Sequence, residues 1–467
     1  MLQFLVCFLL FIIPTLFLFI TRKLSSPTIS EFPRSYPIVG SAFALLRNRE
    51  KFNQWFTYIL GNSPNQTYVI HGALGRSFFS STLTDFIGTG IFNSDGETWK
   101  FQRQISSHEF NTKSLRKFVE TVVEAELNDR LIPILSSAAA NNTVLDLQDI
   151  LQRFAFDNIC KIAFEFDPEY LSPSIRPQAD FAVAFEDAVR ISSERFGYPL
   201  PWVWKLKRIL NIGSEKRLKQ SISKVREFAK SIVRKKKQEL NEKPFFEVTD
   251  LLSRILSSGH SDDDFVIDMV ISFIVAGRDT TSAALTWFFW LVSCNPHLTL
   301  SAYDEVKDMV YTRAALSESM RLYPSVPSDT KEAAEDDVLP DGTDVKKGMR
   351  VTYHPYSGRV KRDEIDGKLS FSGRDPYTYP VFQAGPRICL GKDMAFLQMK
   401  RLVAGVLGWF RVVPAKEGFQ SVFLSYLTSK MKDGLPVRIE VRGDSVIKLC
   451  NDHIYCVAIL FSFFFCV

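Results

Sequence analysis

Phe382-Gln-Ala-Gly385-Pro-Arg387-Ile-Cys389-Leu-Gly391 is the stretch whose reading decides the fold. It fits Phe-x-x-Gly-x-Arg-x-Cys-x-Gly, and a chain of this length would meet those five fixed positions by chance with probability on the order of 10⁻⁴. A cysteine that ligates haem iron must stay thiolate, and glycines on both sides let backbone N–H groups approach the sulfur and spread its charge. Arg387 can reach a haem propionate, and Phe382 can screen the iron–sulfur bond from water. A structural cysteine, the usual fate of a buried free thiol, would explain neither the arginine nor the paired glycines.

With this loop the chain resembles the cytochrome P450 superfamily, the haem-thiolate monooxygenases. The resemblance implies a mainly α fold with a small β region near the N-terminus, and haem b with Cys389 as the axial iron ligand. Outward from the loop, a long helical pattern runs from Asp262 to Cys294, roughly 45 Å at 1.5 Å per residue. Ser261 is a plausible N-cap, Asp262, Asp263 and Asp264 suit the positive end of the dipole, and Asn295-Pro296 stops the run. Inside it, Ala276-Gly277-Arg278-Asp279-Thr280-Thr281 is similar to the superfamily's oxygen-binding segment. Small residues let the helix pass close over the haem, and a threonine hydroxyl can bond the i−4 carbonyl and open the helix locally. By resemblance, Thr280 would hydrogen-bond the oxygen ligand and Asp279 would relay protons from solvent. Glu318-Ser-Met-Arg321 matches Glu-x-x-Arg, an i, i+3 ion pair whose role by resemblance is to hold the cysteine loop. Trp99-Lys-Phe-Gln-Arg103 resembles the helical segment whose Trp and Arg contact the propionates. The implied haem contacts are therefore Trp99, Arg103, Phe382, Gly385, Arg387 and Gly391.

The two ends define the domain limits. Residues 1–21 are an apolar run followed by Arg22-Lys23, read as an uncleaved membrane anchor with the bulk of the chain on the cytoplasmic side of the endoplasmic reticulum. Residues 22–40 form a basic, proline-containing linker, and residues 41–442 the haem domain. The apolar tail 443–467 is too short to span a bilayer. Fifty-seven basic against 52 acidic residues give no bias towards nucleic acid, and no folded nucleic-acid motif is present. The densest basic stretch, Lys205 to Lys237, reads as the solvated face of long helices, with lipid headgroups or an acidic redox partner as the sharper alternative. Seven scattered cysteines form no disulfide framework.

Trp99–Lys117, Ala276–Trp290 and Pro380–Lys400 are similar to the plant group that oxidises the terminal methyl of fatty acids, which also contains jasmonoyl–amino-acid hydroxylases. That resemblance implies a fatty-acid substrate, membrane lipid as a neighbour, and electrons from NADPH–cytochrome P450 reductase. No nucleotide-binding fingerprint is present, in agreement with an external electron source. Three internal places depart from the family. Thr67–His71 reads as a strand that leads almost directly towards Trp99, residues 297–317 are too few for the helices expected there, and no Pro-x-Arg segment lies between Tyr356 and Pro380. With the odd tail, these joins read as blocks removed by mis-set exon boundaries or by decay of a gene copy, so a non-catalytic remnant stands beside the active monooxygenase.

Overall fold

The computed structural model describes residues 33, 41–48, 51–63, 66–70, 79–110, 119–172, 180–198, 201–242, 250–258, 262–294, 309–356, 375–416 and 418–442. The anchor, the tail, Ser261, Asn295-Pro296 and the linker apart from Pro33 lie outside the described residues, as do the departure at His71 and most of those between Tyr356 and Pro380 and at 297–317. Among the described residues no helix is long and apolar enough to cross a membrane.

Helices dominate. Those that frame the site are α1 (Phe52–Asn62), α2 (Phe79–Ile87), α3 (Gly96–Ser107), α4 (Leu147–Phe164), α5 (Asp180–Glu194), α6 (Gly213–Glu242), α7 (Asp263–Ile274), α8 (Thr280–Cys294), α9 (Met309–Leu322) and α10 (Lys392–Trp409). The expected rod is α7 and α8 joined by a π-helical turn, Val275–Asp279. Its N-cap is Asp262, one residue later than expected. That carboxylate accepts the Asp264 N–H at 3.0 Å and complements the helix dipole as well. Val266 to Val275 are buried without a break, so the rod forms the centre of the core.

The acidic start of this rod answers part of the basic run. Arg226 on α6 bonds Asp264 and Asp268 at 2.8 and 2.7 Å, and Lys237 reaches Asp263 at 2.5 Å. The basic face of α6 is therefore partly consumed inside the molecule.

The sheets are small, as expected, and those among the described residues lie from Leu145 onwards. Leu145–Asp146 (β1) pairs antiparallel with Pro436–Val441 (β9), which also pairs with Phe410–Pro414 (β6). Asp329–Glu332 (β2) pairs with Arg350–Tyr353 (β5), Asp337–Val338 (β3) with Asp344–Val345 (β4), and Phe423–Ser425 (β7) with Ser429–Met431 (β8). Thr67–Ile70 is not a strand, and no strand precedes Leu145 among the described residues. An alternating apolar stretch becomes a strand only when a ladder partner satisfies its N–H and C=O groups.

Candidate haem-thiolate site

The cysteine loop is two short 3₁₀ turns, Pro380–Phe382 and Gly385–Arg387, leading into α10. The Cys389 N–H donates to the Phe382 carbonyl at 2.8 Å, and Ile388 N–H to Gly385 O at 3.0 Å. Gly385 sits at φ +70°, a left-handed conformation that a side chain would strain. Gly391 is the N-cap of α10, so the thiol lies at the positive end of an 18-residue helix. Cys389 keeps solvent-accessible surface although protein surrounds it, as a group in a recess does. Burial pushes its thiol above the ordinary range, while the Gly391 N–H, Arg103 and Lys392 pull it back towards the thiolate. The Phe382 ring packs against Phe396 of α10, centroids 5.3 Å apart.

Trp99 and Arg103, one turn apart on α3, share a face that meets this loop. The Arg387 guanidinium lies 4.6 Å over the Trp99 ring. Arg103 feels both neighbours: burial lowers its pKa, the Cys389 charge raises it and Arg387 lowers it. Arg387 also donates to the Ser94 carbonyl at 3.0 Å and to Asp95 Oδ1 at 2.5 Å, partners that no motif announces. A depression of about 440 Å³ beside them is lined by Trp99, Lys100, Lys331, Ala384, Pro386 and Arg387.

The central rod supplies the other wall. Thr280 Oγ1 donates to the Ala276 carbonyl, the i−4 position, at 2.6 Å, and the helix widens to a π turn just before it. Between Val266 and Phe289 only Ala276 and Thr280, one turn apart, are half-buried while every other residue is fully buried. They therefore look into a recess. Phe110 links the walls: it stands 3.6 Å from where a Gly391 side chain would begin and stacks on Phe273 at 6.5 Å. Gln398 Nε2 on α10 donates to Thr281 Oγ1 at 3.1 Å, and Ser325 Oγ to the Thr280 carbonyl at 2.8 Å. Gly277 departs from the expectation that its smallness clears the haem. A Cβ there would lie 2.5 Å from Ile159 Cγ1, so the missing side chain lets the π turn pack on α4.

On α9, Arg321 donates to both Glu318 oxygens at 2.6 and 2.7 Å, the expected i, i+3 pair. Tyr379, just before the cysteine loop, donates to the Ser317 carbonyl at 2.7 Å and ties loop to helix next to that pair.

Comparison with known proteins agrees with this geometry. The family profile described as Cytochrome P450 matches residues 65–364. The chain belongs to the cytochrome P450 family. Cytochrome P450 94A1 of Vicia sativa is 54% identical over 466 residues, covering 88% of this chain and 90% of the relative. Cytochrome P450 94A2 of Vicia sativa is 54% identical over 481, covering 90% and 93%, and cytochrome P450 94B1 of Arabidopsis thaliana 41% over 486, covering 91% and 95%. The protein is thus a cytochrome P450 monooxygenase of the plant 94 group. The last two alignments are longer than the 467-residue chain, so they pass over positions it lacks. The crystal structure of a cytochrome P450 (CYP102L1) superimposes with a TM-score of 0.66 at 19% identity, over 79% of this chain and 88% of that one. That likeness concerns the fold alone.

The residues fit the haem that the family implies. A lone thiol sits in a recess with two guanidiniums and an indole on one side and a small-residue helix face on the other.

Proposed function

We propose that this cytochrome P450 hydroxylates the terminal carbon of fatty acids at the endoplasmic reticulum membrane, with electrons from an NADPH-dependent reductase. The haem, held by Cys389, supplies the oxidising chemistry on O2. The observation that carries the reading is the half-buried face of the central rod: Ala276 and Thr280, a methyl and one hydroxyl, are the residues between Val266 and Phe289 that are not fully buried. Such a wall suits a hydrocarbon end and offers a single polar group at the point of reaction. A terminal methyl is the least reactive C–H of the chain, so selecting it is a matter of holding it in place.

Each residue then has a task. Trp99, Arg103 and Arg387 would hold the propionates. The Gly391 N–H, Arg103 and Lys392 would favour the thiolate of Cys389 against the burial that opposes it. Asp279 would hold the proton. Burial pushes its carboxyl up against the pull of Arg278, and its Oδ2 is buried without a hydrogen-bond partner. Thr280 Oγ1, next in the chain, would pass that proton inward by leaving the Ala276 carbonyl.

Expression of the full chain and a carbon-monoxide difference spectrum of the reduced protein test the assignment. The thiolate-type Soret band is expected in the wild type and absent in Cys389→Ala. A wild type without the band would instead favour the remnant reading, which the positions missing from the alignments motivate. Product analysis with fatty acids against jasmonoyl-isoleucine then separates the two substrate classes; oxidation of the conjugate alone would replace the fatty-acid reading.

A further inference from the structure

The proton-holding residue is gripped by a chain of charges that no motif announces. Arg278 Nη1 donates to Asp279 Oδ1 at 2.6 Å, and its Nη2 donates to Glu186 Oε1 on α5 at 2.7 Å. The other Glu186 oxygen pairs with Lys430 on β8. Side-chain exposure falls inward along this chain, from 25% at Glu186 and 16% at Lys430 to 4% at Arg278 and 1% at Asp279. Counted with Asp279 ionised, between proton transfers, two carboxylates face two cations and the cluster is neutral, the state that burial at this depth favours.

The geometry points to Glu186 as the positioning residue of this site: we propose that it fixes the Arg278 guanidinium, and that Arg278 in turn holds Asp279 with Oδ2 free to carry the proton. Consecutive residues on a helix do not face each other, so Arg278 has no intrinsic reason to lie against Asp279. A guanidinium is a planar fork, and a carboxylate on one nitrogen fixes the direction of the others. α5 supplies that fixation twice, since Phe185 also lies 5.0 Å under the Arg278 guanidinium. Beside the group, a cavity of about 10 Å³ lined by Gln152, Tyr170, Phe181 and Arg278 among others has room for about one water, so packing alone does not pin it. The β7–β8 hairpin joins through Lys430 and through Leu427 N–H, which donates to Ser193 Oγ of α5 at 2.8 Å. Seating of α5 and the hairpin thus sets the aim of a carboxylate on the central rod.

This inference rests on the proton role given to Asp279 above, and its test separates the two. Full-length, haem-loaded Glu186→Gln and Lys430→Met are compared with wild type, with the reduced carbon-monoxide band confirming the thiolate site in each. Hydrogen exchange of amides 275–282 is read alongside peroxide released per electron pair consumed. Glu186→Gln is expected to speed exchange there about tenfold and to raise the peroxide share several-fold. Lys430→Met leaves the Glu186–Arg278 bond in place, so it loosens the hairpin amides and moves both readings in the same direction but less than Glu186→Gln does. Glu186→Asp, with the charge kept one methylene short, falls between and serves if the glutamine variant does not fold. Equal effects of the Glu186 and Lys430 variants, or unchanged exchange at 275–282, would overturn the proposal. Normal exchange in Glu186→Gln together with a peroxide rise in Asp279→Asn would leave the proton role standing and remove Glu186 from it.

Discussion

At Gly277 a single hydrogen decides how the central rod sits. A methyl there would press on Ile159 at 2.5–2.7 Å, against its β-carbon and the Cγ1–Cδ1 branch, and the β-carbon is fixed to the backbone of α4 and can yield little. Gly277→Ala is expected to cost about 1–3 kcal/mol, as overpacking does, read as a lower midpoint in denaturant. Ile159→Ala in the same chain should recover part of that loss, and no recovery would mean that the strain lies elsewhere. The sequence marked Gly277 as special and gave the wrong reason. Its partner is more than a hundred positions upstream, and a glycine motif carries no record of what it touches. Cys389, Arg387, Trp99 and Arg103 were legible because loop and helix chemistry restrict those residue types. Asp95, Glu186 and Lys430 were not, because an ion pair needs only charge and nearness, which the fold supplies late.

Among elements, the π turn is where local chemistry and packing meet. Thr280 was readable as a residue that opens a helix, and its hydroxyl does bond the Ala276 carbonyl. Thr280→Val keeps the shape and removes the hydroxyl. Removing one general-acid partner costs on the order of 10²-fold in the step it serves, so product per electron pair consumed should fall at least tenfold. Unfolding stability should move by no more than about 1 kcal/mol, the worth of one hydrogen bond. A variant that keeps its product yield would show that Thr280 shapes the helix without passing a proton. The sheets were less legible than the helices. A 3.6-residue pattern is local, whereas β1 takes its partner β9 from far along the chain, Leu145 beside Val437, and finds it only in the folded protein.

For the molecule as a whole, α1 forms a separate cluster of Trp55, Phe56 and Ile59, apart from the main core. His354, which follows β5, joins it: its ring stacks on Phe56 at 4.5 Å and is buried. Burial lowers its pKa to about 4, because a charged imidazole there would lose its water. In the unfolded chain the ring titrates near its ordinary value of about 6.5. Below that pH the unfolded state takes up a proton that the folded state refuses, so folding stability falls as pH falls. The loss runs through the window from about 6.5 to about 4 and amounts to at most about 3 kcal/mol. Asp157 opposes it. Burial lifts its carboxyl to about 7, so as pH falls it adds stability across the whole of the same window and the net curve alone would mislead. The difference between wild type and His354→Phe isolates the histidine, since the phenylalanine keeps the stack and cannot titrate. Chemical denaturation at pH 7 and pH 4.5 should show the variant losing less stability than wild type between the two. Parallel losses would mean that His354 becomes protonated in place, with the contact to α1 already open in the folded state.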